Sequence, residues 1–390
     1  MCNKSLSSII QPVLARRLSS RQKQKISSII LDTTTALYVA HYLYTNPTYL
    51  NPWDLPNAQL WILGFICIRL GVIFYDHLVV LLIEKCFKSK VLPTREPGAP
   101  SVRYVTLDTR SYIYLFLNSF NEYAFVMRLT HYLWQDGYQQ LLVWNITQMT
   151  IGNTIIALGI MFISMDMLYA PLHHALHLPS LYPLIHKHHH RQHFPTRGYL
   201  DAGNEHPIEH MIGVMCTWFA VCTAEVFLPT CILWLRRIKE YGLIGIWTTS
   251  LAAGEDKTWA LQGGGVHALT VILFFQFHAA LACLNHSPYN VKFSLPFVGS
   301  SKIFFGSSNE KDTNNKVIQW LDKRSTTIGK WLRRIVTGQW FNYSVGHHEM
   351  HHRKFNYNYG QYCMLYDTWM GTFIEYEGPL SAADLKAKRK

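Results

Sequence analysis

Four stretches of the chain are apolar for about the length that crosses a bilayer. Trp61 to Ile83 is interrupted by Arg69, Asp76 and His77, whereas Ile151 to Tyr169 carries Asp166 alone. Met211 to Leu235 holds Glu225 as its one formal charge, and Val266 to Leu284 holds none, with His267 and His278 as its ionisable groups. Ile29 to Tyr44 is a fifth, weaker candidate. Tyr112 to Trp134 contains Glu122, Arg128 and His131 and reads as interfacial or re-entrant. Buried core helices are the competing reading, and the lengths of these stretches speak for membrane spans.

Composition strengthens that choice. Of 390 residues 49% are hydrophobic and only 15% charged, well below the usual quarter. The net charge of +12 raises a nucleic-acid partner, but the positive residues flank the apolar stretches instead of forming a patch. Arg16, Arg17, Arg21, Lys23 and Lys25 precede the first, and Lys85, Lys88, Lys90, Arg95 and Arg103 follow the second, as cytoplasmic loops do. A hairpin of Ile29–Tyr44 and Trp61–Ile83, turning through Asn46 to Asn57, places both basic groups on one side. Arg236, Arg237 and Lys239 fit this scheme less well. The eight cysteines form no C-x-x-C pair, and five lie inside candidate spans, so buried free thiols are expected in place of disulfides or a cysteine zinc site. Residues 1–28, rich in Ser, Arg and Lys and free of acids, also resemble a transit peptide.

The chemistry is carried by histidine. Ten of the twenty histidines fall between His173 and His210, and four more stand at His347, His348, His351 and His352. Three spacings recur: His173-x3-His177, His186-x2-His189-His190 and His348-x2-His351-His352. Residues three and four apart share a helix face, so each box aims two or three imidazoles at one point. His174, His188, His193 and His347 fall outside the helical pattern of their boxes, and His41, His77 and His131 read as isolated polar residues. A loose metal-buffering loop or simple compositional bias is the bland alternative. Against it, Leu176, Leu178, Leu181, Tyr182, Leu184 and Ile185 punctuate the first tract, and the box form recurs near the C-terminus. One metal takes about four ligands, so the eight box nitrogens suggest two metals close together.

Imidazole suits zinc, copper, nickel and iron alike. Many imidazoles with few carboxylates fit a redox pair better than a hydrolytic zinc site, and iron is expected. Carboxylates beside the boxes can accept the far ring N–H of a ligand and fix its tautomer. Asp166, His206, Glu209 and Asp367 are the candidates for that supporting role, with Glu349 beside the third box. His286, in Asn285-His286-Ser287-Pro288-Tyr289 at the end of the last span, is either a further ligand or an interfacial histidine beside a proline turn.

At these residues the chain resembles the fatty acid hydroxylase and sterol desaturase superfamily. H-x3-H, H-x2-HH and a later H-x2-HH occur in that order, over roughly residues 150–375. The C-terminal stretch His347-His348-Glu349-Met350-His351-His352, then Phe355 to Tyr362, Asp367 and Gly371-Thr372, is similar to sterol C5-desaturases. His206-Pro207-Ile208-Glu209 and His286-Ser287-Pro288-Tyr289 are similar to C-4 methylsterol oxidases. The resemblance implies a dinuclear non-haem iron site, His286 among its ligands, and electrons from NAD(P)H through cytochrome b5 and its reductase. It further implies a lipid substrate, most closely a sterol, and the endoplasmic reticulum membrane with the boxes and C-terminus in the cytosol. A fatty acyl or sphingolipid hydroxylase of the same superfamily is the nearest alternative; a histidine-rich metal transporter and a non-catalytic lipid-binding scaffold are others. The chain departs from the pattern at His174, where arginine is usual, at Pro288, where glycine is common, and over residues 236–264, which read as an insertion containing Gly263-Gly264-Gly265. Lys386 and Lys388, fifth and third from the C-terminus counting Lys390 as the first, resemble a dilysine retrieval signal.

The expected fold is all-α: an integral membrane protein of about four to six transmembrane or re-entrant helices with a cytosolic histidine-rich helical cap holding a dinuclear metal site. The expected units are a basic tail (1–28), a membrane hairpin with an interfacial segment (29–149), a catalytic domain (150–375) and a basic C-terminal tail (376–390).

Overall fold

A computed structural model describes residues 20–46, 106–131, 149–248, 266–294 and 342–379, with isolated positions at 54, between 62 and 93, at 142, 143 and 146, and at 381. Much of the Trp61–Ile83 span, the Asn46–Asn57 turn, residues 249–265 of the insertion and the dilysine-like tail lie outside the described residues.

Helices dominate. The long ones are α1 (Ser20–Thr45), α2 (Thr109–His131), α3 (Ile151–Leu176), α5 (Pro207–Thr248) and α6 (Ala268–Asn285), with a four-residue α4 (Tyr199–Ala202) between α3 and α5. Two short helices, α7 (Val345–Lys354) and α8 (Leu365–Met370), close the chain, and a 3-10 helix spans His186–Arg191. The strands are minor: β1 (Leu92–Pro93) pairs antiparallel with β4 (Tyr289–Asn290), β2 (Leu142–Val143) parallel with β3 (Val266–His267), and β5 (Lys292–Ser294) antiparallel with β6 (Asn342–Ser344).

Among the described residues three helical segments are long and apolar enough to cross a membrane: Ile151–Leu176, Pro207–Ile232 and Ala268–Asn285. Of their most apolar windows 33%, 39% and 44% are buried, and much of the rest is half-buried or exposed. Ile151, Met215, Phe219, Val226, Phe227, Ile272 and Phe277 are exposed there, large apolar side chains of the kind that face lipid. By length and composition, these three helices suggest a membrane protein. α1 is helical across Ile29–Tyr44 but does not qualify as a span, because the polar Ser20–Lys25 and Asp32–Thr35 dilute it. α2 likewise carries too many polar side chains, in keeping with an interfacial element.

Lipid supplies no hydrophobic drive for helices to meet, so small residues that allow close approach do much of the work. Ala220 and Ala224 are one helical turn apart on α5 and wholly buried, and Ala157 on α3 is 1% exposed. Beside them Phe162, Phe274 and Tyr362 pack edge to face at 5.1 Å for both ring pairs made by Phe162, which joins α3, α6 and the C-terminal segment. α3 continues past Pro171 to the histidines. α5 also runs past its own proline, Pro229, to Thr248, so the first part of the supposed insertion is a continuation of this helix.

Candidate metal centre

Three apolar helices bring their ends to one place. α3 ends there with His173 in its last turn and His177 as its cap, α6 ends with His286 as its cap, and α5 begins with Glu209 in its first turn. The carboxyl ends of α3 and α6 present partial negative charge, which favours a cation, while the amino end of α5 favours a carboxylate.

The sequence boxes divide between two groups. His173, His177, His186, His190 and His351 converge as one, and His189, His286, His348 and His352 as the other, each within 4.8 Å by one ligand atom per residue. In both groups the i, i+4 pairs stay together and the adjacent histidine leaves. Consecutive side chains on a helix point about 100° apart, so His351 and His352 cannot serve one ion. The expectation that each box aims all its rings at one point is therefore corrected. The second box is a 3-10 turn, where i and i+3 would eclipse. His186 nevertheless turns its Nε2 to His190 at 2.8 Å, its Nδ1 being held by Glu209 Oε1 at 2.6 Å. All nine predicted ligands fall in the two groups, His286 with them.

The hydrogen bonds fix which nitrogens face inward. Nδ1 of His173 donates to the Tyr359 carbonyl at 2.9 Å, that of His351 to the Tyr357 carbonyl at 2.7 Å, and that of His286 to the Ala282 carbonyl at 3.0 Å. A carbonyl can only accept, so these rings hold the proton on Nδ1 and turn a lone pair inward from Nε2. Those Nε2 atoms lie 3.1 Å from His186, 3.1 Å from His190 and 3.3 Å from His348, respectively. His348 and His352 approach at 3.2 Å. Inward lone pairs packed this closely repel unless a cation stands among them, so the donor set fits a metal ion. Nδ1 of His189, His190, His348 and His352 is buried without a partner among the described residues. Burial, with the neighbouring imidazoles, drives the basicity of His186, His189, His190, His348, His351 and His352 well below the ordinary range, and that of His177 to about 2. Neutral imidazole is the form that ligates.

The supporting residues are distributed differently from expectation. Glu209 does accept from a box histidine, His186. Asp166 reaches no histidine ring among the described residues; its carboxylate accepts the backbone N–H groups of Gln361, Tyr362 and Cys363 at 2.6, 2.9 and 3.1 Å. Asp367 takes those of Tyr359 and Gly360 at 2.8 and 2.7 Å, and the Thr372 hydroxyl at 2.7 Å. A Cβ on Gly360 would stand 3.0 Å from the Asp166 carboxylate and 3.1 Å from that of Asp367, so a larger residue would press on both carboxylates where the strap of residues 359–363 passes between them. The two aspartates therefore act at one remove, fixing the strap whose Tyr359 carbonyl orients His173. His206 also departs: its Nε2 meets Asp32 at 3.1 Å and its ring packs against Tyr114, tying α1 to the start of α5. Glu349 pairs with Arg353 on the same helix.

Histidines outside the helical pattern lie outside both groups. His174 stacks on Tyr359 and bonds the Tyr366 hydroxyl at 2.9 Å. His188 lies between Ser111 and Asn204, His193 beside Phe355, and His347 near Glu375. The third box is seated by Asn290, whose Oδ1 accepts from Gly346 N–H and Ser344 Oγ, each at 3.1 Å. A Cβ on Gly346 would come within 2.7 Å of the Tyr376 ring and 2.9 Å of Asn290. Sequence reasoning missed the carbonyls of Tyr357 and Tyr359, because a backbone acceptor leaves no mark on residue type. It also missed Glu205, which lies with Glu209 and His189 within 4.8 Å; a second acid four residues before Glu209 was the available sign.

Compared with family models, with curated proteins and with solved structures, the chain matches none.

Proposed function

We propose that the chain is an oxygen-dependent lipid oxidase of the membrane, with a non-haem iron pair held by the two imidazole groups. The observation that carries this is the division of nine convergent, neutral histidines into adjacent sets of five and four at the ends of apolar helices. A metal-buffering loop has no need of such order, and a structural zinc takes about four ligands, often including cysteine. When bound, the iron pair would reduce dioxygen, with electrons supplied from outside, and take hydrogen from an unactivated carbon.

The protein's own part is ligation, orientation and exclusion of water. His173, His177, His186, His190 and His351 would hold one ion, and His189, His286, His348 and His352 the other. Glu209 and the carbonyls of Tyr357, Tyr359 and Ala282 keep the ligand lone pairs turned inward. A lipid chain or ring would approach from the bilayer side, while cytochrome b5 and its reductase would deliver electrons from NAD(P)H at the water side, taken here as the cytosolic face of the endoplasmic reticulum. A sterol is the proposed substrate, by C5-desaturation or C-4 methyl oxidation, on the motif resemblances around His206, His286 and His347–Thr372. Mössbauer spectroscopy and metal analysis of the purified chain test the centre; zinc at full occupancy without iron would defeat the oxygen chemistry. Profiling sterols and fatty acids in cells lacking the protein tests the substrate. A sterol without its C5 double bond, accumulated 4-methylsterols, or non-hydroxylated acyl chains would each select one branch.

A further inference from the structure

α5 carries Glu209 to the five-histidine group, and this helix starts in an unusual way. Pro207 holds its first position, as suits a residue with no N–H to leave unpaired. Before it stands His206, where Ser, Thr, Asp or Asn is the common cap. The His206 carbonyl accepts the His210 N–H at 3.0 Å, and the ring Nδ1 accepts the Ile208 N–H at 3.1 Å. A ring nitrogen that accepts an amide N–H carries no proton, so the proton of this neutral imidazole is on Nε2. Asp32 Oδ1 accepts it there, at 3.1 Å.

Asp32 lies on α1, which places no ligand in either histidine group. The Tyr114 hydroxyl donates to it at 2.6 Å and the Arg110 guanidinium at 2.9 Å. Burial acts to raise this carboxyl, but its contacts with His206, Tyr114 and Arg110 outweigh that and hold it below the ordinary carboxylate range. It is therefore ionised and can only accept. The Tyr114 ring meets His206 edge to face at 5.1 Å and His188 of the 3-10 helix at 4.9 Å. α6 offers the comparison. His267 caps it in the same manner, its Nδ1 accepting the Leu269 N–H at 3.1 Å, yet its Nε2 is buried with no hydrogen-bond partner among the described residues. A histidine can thus cap a helix of this chain without an acid, and the acid is present at the helix whose first turn reaches a box histidine.

We infer that Asp32 is a positioning residue for the five-histidine group, acting through the cap of α5. The carboxylate fixes the tautomer and plane of His206, and the ring fixes the first turn of the helix. From that turn Glu209 Oε1 accepts from His186 Nδ1 at 2.6 Å. A carboxylate that takes one ring N–H decides what the other ring nitrogen can do. In the other tautomer His206 would turn an N–H toward the Ile208 N–H, and the cap would be lost. The inference rests on the reading above only in taking His186 as a ligand.

The test follows the purified full-length chain, in phosphatidylcholine nanodiscs, by hydrogen exchange of the peptide at residues 206–212 and by removal of bound metal with a graded series of chelators. Asp32→Ala should speed exchange there about 5-fold and loosen one ion about 10-fold. The ion of the four-histidine group should keep its wild-type affinity, which also reports that the variant folds. His206→Asn supplies a side-chain oxygen that caps without help from an acid. In that background Asp32→Ala should change neither exchange nor metal retention. An equally large effect of Asp32→Ala with His206→Asn in place would overturn the inference, by assigning Asp32 to its contacts with Arg110 and Tyr114. Wild-type behaviour of Asp32→Ala alone, or equal loosening of both ions, would also overturn it. A chain that binds no metal, yet whose exchange responds to Asp32→Ala only while His206 is present, would keep the cap and defeat the metal reading instead.

Discussion

His189 and His190 are consecutive, yet their rings stand 86° apart with centroids separated by 5.6 Å, and each joins a different group of imidazoles. Backbone geometry alone imposes that separation, and it makes the two groups individually addressable. His190→Ala should lower bound metal from about two ions per chain to about one while leaving the four-histidine group intact, and His189→Ala should do the converse. Both should abolish lipid oxidation. Metal analysis of either variant with both ions retained would remove that residue from the ligand set.

Glu209 offers a milder perturbation, because it touches His186 through Nδ1 and leaves Nε2 in place. Glu209→Gln should weaken metal retention by about 10–100-fold. Competition against a graded series of chelators would measure this, and retention equal to the wild type would mean that Glu209 orients nothing.

Asp166 holds three backbone N–H groups of the strap, so Asp166→Ala strands buried donors without removing any ligand. A loss of about 3 kcal/mol is expected. It should appear as faster thermal inactivation in detergent, together with loosened metal at the group containing His173. A variant as stable as the parent would show the strap to be held by other contacts.

Lipid contact is tested by neighbours on one helix. Phe219 is 53% exposed and Ala220 wholly buried. Phe219→Lys should cost roughly 3 kcal/mol of membrane insertion, read in a glycosylation-based insertion assay. Ala220→Leu should insert normally and disturb packing against α3. Normal insertion of the lysine variant would argue against Pro207–Ile232 as a lipid-facing span.

Asp108, in the loop before α2, is a site for pH dependence away from the histidine groups. Burial acts to raise its carboxyl, but the Ser111 hydrogen bonds and the Arg191 guanidinium outweigh it and hold the group at about 2. The folded value is below the ordinary one of 3.8. Its stabilising contribution is therefore present above pH 3.8 and fades as pH falls through about 2. Asp108→Asn should flatten acid unfolding within that window, and an unchanged profile there would assign the acid sensitivity to other carboxylates.

Spacing and helix geometry were enough to find the site's residue types, because i, i+4 histidines beside apolar stretches leave few other uses for themselves. Three of the apolar stretches appear as long helices for the same reason: a run such as Ile151–Leu176 cannot expose its backbone in lipid and must be helical. What the sequence hid was allocation. That His186 turns its Nε2 to His190 is set by Glu209, an acid on another helix. Asp166 lies about two turns before His173, which suggested a direct contact, yet the strap at 359–363 comes between them. His206 sits three residues from Glu209, and its role is settled by Asp32 on a distant helix.

The allocation also sets an order of events during synthesis. Four members of the first group, His173 to His190, lie within a short stretch of chain, while the second group holds only His189 and His286 until His348 and His352 are made. The first group therefore lacks only His351 before α7 is made, whereas the second must wait for α7 for half of its members. A chain terminated before residue 348 would leave the ribosome with six of the nine grouped histidines.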